Sequence, residues 1–256
     1  MKSAQEILDS MIKKGSNELN RETDGLFLSS ISAGLDIGFG PLLMGVILTL
    51  SAGSYGDLQT ELLLASAYSV GFIFVILGRS ELFTEHTTLA VMPVIDGKAS
   101  VRKLGRLWGI VYAGNIIGGM LFTALAVTLT PGLGVIETAA FGTIANKLVS
   151  HPLHWLLIAG IFAGWLMGLL AWLISSAENT IGRVFFIWMV TATIGMLHLP
   201  HSIAGNVEVL FGLFTTTAVT LTDYLAFLSL ATIGNAIGGA IFVGLMKYGH
   251  VTRGAK

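Results

Sequence analysis

The residues best suited to chemistry lie inside apolar sequence, where charge and imidazole are costly. Leu199-Pro200-His201-Ser202 interrupts the long apolar stretch over 188–214. Pro200 removes a backbone N–H and clashes with the preceding turn, and Gly205 loosens the turn that follows. An imidazole at such a break presents an N–H to an anion and exchanges a proton near neutral pH. The alternative is a buried neutral ring bonded to a freed carbonyl. His198 lies three residues earlier, and His151 and His154 repeat that spacing. Pro200 spoils the helical geometry that would set His198 and His201 on one metal, so no metal site is expected.

A second break reads Gly78-Arg79-Ser80-Glu81-Leu82-Phe83-Thr84-Glu85-His86. Leu82 and Phe83 are apolar enough to narrow a pore, and Thr84 offers a hydroxyl opposite His201. Arg79, Glu81, Glu85 and, from the other broken stretch, Glu208 each cost about 3 kcal/mol in lipid, so they must pair or face water. The expectation is an internal charge network bracing the two breaks, with Arg79 neutralising one of the three glutamates. Asp36 is expected to bond an exposed amide at the start of a half-helix.

Such residues have to be held by membrane-spanning elements. Of 256 residues, 54% are hydrophobic and 11% charged, against roughly 25% charged in a soluble domain, and the mean hydropathy is +0.79. The formal net charge of −1 argues against a nucleic-acid partner, and the lack of cysteine excludes disulfides and thiolate metal sites. Six apolar spans of the required length of about 20 residues fall near 26–50, 61–93, 104–129, 154–175, 184–214 and 224–247. The second and fifth are too long for one plain crossing and carry the two breaks. Broken backbone at membrane depth is tolerated only where it faces protein or a wet cavity.

Lysine and arginine set the expected orientation. Lys2, Lys13, Lys14 and Arg21 precede span one, and Lys98, Arg102, Lys103 and Arg106 separate spans two and three. Arg183 follows span four, Lys247, Arg253 and Lys256 close the chain, and the alternate loops hold only Lys147. Both termini are therefore expected in the cytoplasm, with Ser100 inside and Ser54 and Thr217 outside. The start of the chain leads into the capping box Ser3-Ala-Gln-Glu6 and not into the apolar core of a signal peptide. Residues 3–14 read as an amphipathic helix on the membrane surface. The expected organisation is a cytoplasmic helix and linker over 1–24, a channel domain over 25–248 and a cytoplasmic tail over 249–256.

The two halves are related. Gly114-Asn115-Ile116-Ile117-Gly118-Gly119 returns as Gly234-Asn235-Ala236-Ile237-Gly238-Gly239, and Ala33-Gly34 with Gly38 returns as Ala163-Gly164 with Gly168. Glu81 lies 120 positions before His201. Three spans per copy require the second copy to be inverted, and paired broken helices in inverted repeats place a transport site near the midplane.

The strings YSVGFIFVILGRSELFTEH (68–86), WGIVYAGNIIGGML (108–121), HSIAGN (201–206) and IGNAIGGAIFVGL (233–245) resemble the formate/nitrite transporter family across all six spans. The resemblance implies a homopentamer of aquaporin-like protomers in the inner or plasma membrane. Each protomer would have its own pore for a small monovalent anion such as formate, nitrite, hydrosulfide or lactate. It makes His201 the central pore histidine and Thr84 its hydroxyl partner, with Leu82, Phe83, Tyr68, Phe72 and Ile194 lining the constrictions and Asn206 at the family's asparagine. It implies no cofactor and no enzymatic activity. The chain departs from the family's usual pattern in Pro200 before the histidine, Gly205 before Asn206, Gly164 where helix four often carries asparagine, and Leu148, beside Lys147, at the vestibule lysine. A neutral-solute channel is the nearest alternative, but the chain has no Asn-Pro-Ala pair. A membrane-embedded enzyme using His198, His201 and Glu208 lacks a nucleophile motif.

Overall fold

The computed structural model describes residues 2–51 and 55–254, and these are helical with no strand among them. Ser54 lies outside the described residues. The helices are α1 (Ala4–Leu19), α2 (Thr23–Ile37), α3 (Phe39–Ser51), α4 (Asp57–Gly78), α5 (Phe83–Leu89), α6 (Met92–Ile95) and α7 (Val101–Gly132). They are followed by α8 (Thr138–Val149), α9 (Leu153–Ser176), α10 (Thr180–Met196), α11 (Ser202–Thr215), α12 (Leu221–Ile237), a π-helical stretch Gly238–Leu245 and α13 (Met246–Gly254). Five continuous stretches are long and apolar enough to cross a membrane: Thr23–Ser51, Asp57–Gly78, Val101–Gly132, Leu153–Ser176 and Leu221–Gly254. The shorter apolar helices α10 and α11 meet at the second break and complete a sixth crossing.

Close backbone approach makes the inverted repeat possible. A Cβ on Gly34 would lie 2.2 Å from the Asn115 carbonyl oxygen, and one on Gly164 would lie 2.2 Å from that of Asn235. Gly118 meets the Ile31 carbonyl at 2.2 Å and Gly238 that of Ile161 at 2.1 Å in the same way. α2 therefore packs on α7 as α9 packs on α12, each pair through glycines that no larger residue can replace.

Two elements go beyond the sequence expectations. Span one is divided at Gly38, where a Cβ would strike the Phe122 ring, and Pro41 follows in the first turn of α3. The π-helical stretch lies where the Thr88 hydroxyl of α5 donates to the Gly239 carbonyl at 2.8 Å, taking that oxygen out of the regular ladder.

The capping box at Ser3 and Glu6 starts α1, which runs on to Leu19. Its apolar face does not lie on lipid. Leu8 and Met11 pack with Leu89, Met92, Trp172 and Val251, so the helix closes over α5, α6, α9 and α13 at the end that carries both termini. The segment after span six stays helical to Gly254 and reaches α1. At the opposite end α8 covers α11 in the same manner, through Ala140, Phe141, Ile144, Ala145 and Leu148.

Candidate functional site

Each break is built by one asparagine. Asn115 Oδ1 accepts from the Phe83 N–H at 2.8 Å, and its Nδ2 donates to the carbonyls of Ser30 and Glu81, both at 2.8 Å. Asn235 does the same one repeat later. It accepts from the Ser202 N–H at 2.8 Å and donates to Gly160 at 2.8 Å and Pro200 at 2.9 Å. The helix before each break ends on a left-handed residue that is not glycine, Arg79 at φ 59° and His198 at φ 48°. Such a residue costs about 1–2 kcal/mol and persists only where its surroundings over-determine it. The two breaks are thus one structure repeated 119 positions apart, Arg79 matching His198 and Glu81 matching Pro200. This register corrects the pairing of Glu81 with His201: Leu82 is the equivalent of His201, and Thr84 of Ile203.

Within this frame Thr84 and His201 meet. Thr84 Oγ1 lies 2.8 Å from His201 Nε2, and both residues are buried. His201 is also the N-cap of α11, its Nδ1 accepting from the Ala204 N–H at 3.1 Å. Because Nδ1 is an acceptor there, the proton of the neutral ring sits on Nε2, and Nε2–H is the donor aimed at Thr84. Phe72 holds the ring edge-on, with centroids 4.9 Å apart and planes at 86°, and Tyr68 packs on Phe72 at 5.1 Å.

A cavity approaches this pair from each end. Opposite the termini, a narrow cavity of about 20 Å³ is lined by Tyr68, Ile194, Lys147, His198 and Glu208 among others. On the side of the termini, a wide one of about 470 Å³ is lined by Lys14, Arg79, Ser80, Glu81, Glu85 and Arg183 among others. Leu82 is fully buried at the break, and Phe83 packs edge-on against Trp108 and Tyr112 at 5.8 and 5.1 Å. A family model described as formate/nitrite transporter matches residues 5–249. The chain belongs to the formate/nitrite transporter family. Inner membrane protein YfdC of Escherichia coli (strain K12) is 31% identical over 252 residues, covering 97% of this chain and 79% of that protein. Among solved structures, an FNT family ion channel superposes with a TM-score of 0.84 at 22% identity, over 95% of this chain and 98% of the other. A pentameric formate channel with formate bound superposes at 0.74 and 23% identity, over 88% and 96%.

Against the family pattern, the charged residues are arranged otherwise than the sequence led us to expect. Arg79, Glu81, Glu85 and Glu208 form no common network. Arg79 is exposed and makes no ion pair among the described residues, because its left-handed backbone turns it out at the rim of the wide cavity. Glu81 pairs with Arg21 of the α1–α2 connection and with His86, the latter at 2.5 Å. Glu85 pairs with Lys14 of α1 at 2.7 Å, and this carboxylate holds the Lys14 ammonium above the ordinary lysine range. Glu208 lies with the other cavity. Asp36 accepts from the hydroxyls of Ser32 at 3.2 Å and Ser80 at 3.4 Å, and from no amide.

The other departures from the family have local reasons. Pro200 contributes its carbonyl to Asn235, a backbone role that any residue can fill. Gly205 lets α12 close in, since a Cβ there would lie 2.3 Å from the Phe227 ring. Asn206 is tied between helices, accepting from the Tyr224 hydroxyl at 2.7 Å and donating to the Ile116 carbonyl at 3.5 Å. Sequence reasoning missed Glu61, which binds Lys147 and lies 3.3 Å from His198 Nε2. It also missed the work of Asn115 and Asn235, although the repeated Gly-Asn strings were the signal for it.

Proposed function

We propose that this chain passes a small monovalent anion or its conjugate acid, of the formate or nitrite class, between the two cavities and past His201 and Thr84. The assembly is a homopentamer in the inner or plasma membrane with both termini in the cytoplasm, and the protein is a transporter and not an enzyme. The observation that carries this reading is the engagement of His201 Nδ1 by the Ala204 N–H, which leaves Nε2–H as a fixed donor at the meeting of the two breaks. Stripping water from an anion in a dry constriction costs several kcal/mol, and a preset donor offsets part of that cost. A substrate oxygen takes the place of Thr84 Oγ1 as the acceptor, and the threonine hydroxyl then bonds the substrate from the other side. Tyr68, Phe72 and Ile194 form the apolar constriction on one side, and Leu82 and Phe83 on the other.

The test is flux in proteoliposomes of purified protein, with radiolabelled formate and nitrite as probes. His201→Asn keeps an N–H donor of similar reach and should retain flux within about tenfold of wild type, whereas His201→Phe should lose it about a hundredfold or more. Size-exclusion with light scattering checks that each variant assembles at about five times the 27.1 kDa chain mass. Wild-type flux in assembled His201→Phe would place the selective contact elsewhere and overturn the assignment.

A further inference from the structure

The narrow cavity holds a carboxyl group for which the transport reading has no role. Glu208 of α11 lines this cavity, is 6% exposed, and forms no hydrogen bond or ion pair among the described residues. The polar groups beside it are committed to one another. Lys147 of α8, the cation lining the same cavity, is bound to Glu61 of α4, and His198 lies 3.3 Å from that same carboxylate. Much of the remaining wall is apolar, with Leu64, Ile144 and Ile194 among its residues. An ionised carboxylate is costly in such a place without a donor or a cation of its own, so Glu208 is held as the neutral acid.

A neutral carboxyl differs from a carboxylate in having an O–H to donate. Glu208 therefore offers a donor that no acceptor among the described residues takes up, and an entering anion supplies the acceptor. The cavity volume of about 20 Å³ leaves room for little more than one water-sized group. An anion there cannot keep its hydration shell and must exchange it for contacts with the walls. The place also fits the route to the centre. Tyr68 lines the cavity and packs on Phe72, which in turn holds the His201 ring. We infer that Glu208 is a specificity-determining residue of the pathway: its O–H binds an oxygen of a small entering oxyanion at the narrow mouth, one step before His201. This rests on the transport reading above.

The experiment measures uptake of radiolabelled formate against its concentration, with full-length protein in proteoliposomes at about pH 7, where formate is an anion. Glu208→Leu keeps most of the side-chain volume but has no donor. It should raise the half-saturating formate concentration about tenfold or more and leave maximal uptake within about threefold of wild type. Glu208→Gln is neutral and keeps an N–H donor, so its half-saturation should stay within about threefold of wild type. Unchanged half-saturation in Glu208→Leu overturns the inference, because a residue that only fills space tolerates leucine. A Glu208→Gln protein as weak as Glu208→Leu overturns it, and so does one about tenfold faster than wild type, the mark of an ionised carboxylate that repels the anion. Where Glu208→Leu does not assemble, infrared difference spectra of the wild type with and without formate decide. A protonated-carboxyl carbonyl band that shifts when formate is added upholds the inference, and the lack of one overturns it. Absence of wild-type uptake of both formate and nitrite is a different result. It would overturn the transport reading, and this inference with it.

Discussion

At the scale of the residue, two asparagines do the most structural work. Asn235 holds one buried N–H and two buried carbonyls at the break that positions His201, so Asn235→Leu should cost about 3 kcal/mol or more through unsatisfied backbone groups. Asn206→Leu removes one good hydrogen bond and one long one and should cost about half as much. Thermal unfolding in detergent gives the order, and flux should drop in the first variant before the second. Equal losses would show that the clamp does not carry the break. The His201 and Thr84 pair was legible in advance, because Pro200 and the string ELFT mark the two breaks. The clamps were not, since an asparagine in a glycine-rich helix looks like any other polar small-residue contact until the facing break is in place.

At the scale of the element, the chain's charges describe docking and not a central network. α1 is fastened to the re-entrant helix α5 by Lys14 with Glu85, and the α1–α2 connection by Arg21 with Glu81. The basic residues of the leader, read for orientation only, are therefore also the partners of the intramembrane glutamates. Arg21→Met leaves Glu81 with His86 as its remaining partner and should destabilise by about 1–2 kcal/mol, less than the 3–5 of a fully buried pair because the Arg21 side chain is 35% exposed. Adding Glu81→Gln should recover part of that loss. Arg79→Met should stay within about 0.5 kcal/mol of wild type, as expected of an exposed side chain. A larger loss for Arg79→Met than for Arg21→Met, by denaturant or thermal unfolding, would restore the network that the sequence suggested. The helix α8 escaped the sequence reading for a related reason. At 12 residues it is too short to register as a span, and its apolar face at Ala140, Phe141, Ile144, Ala145 and Leu148 has meaning only against α11.

For the molecule as a whole, the six crossings, the two breaks and the inverted repeat were all readable, because hydrocarbon thickness and glycine-mediated packing restrict what a chain of this composition can do. Which end faces the cytoplasm is a proposal that rests on lysine and arginine alone. The structure puts α1, α13 and the start of α7, with the α6–α7 connection that leads into it, at one end, α7 being held there through Lys103 with Asn20 and Arg106 with Thr23. The turn between α11 and α12 lies at the other. These two ends can be labelled separately, since the chain has no native cysteine to give a background. Ser100 and Thr217 are both exposed, so neither position blocks a reagent by burial. In intact cells Thr217→Cys should react with an impermeant maleimide and Ser100→Cys should react only after the membrane is opened. The reverse pattern would place the wide, arginine-bearing cavity outside and the narrow mouth of Glu208 inside. The side on which Glu208 meets the entering anion would then be inverted, with the chemistry at His201 unchanged.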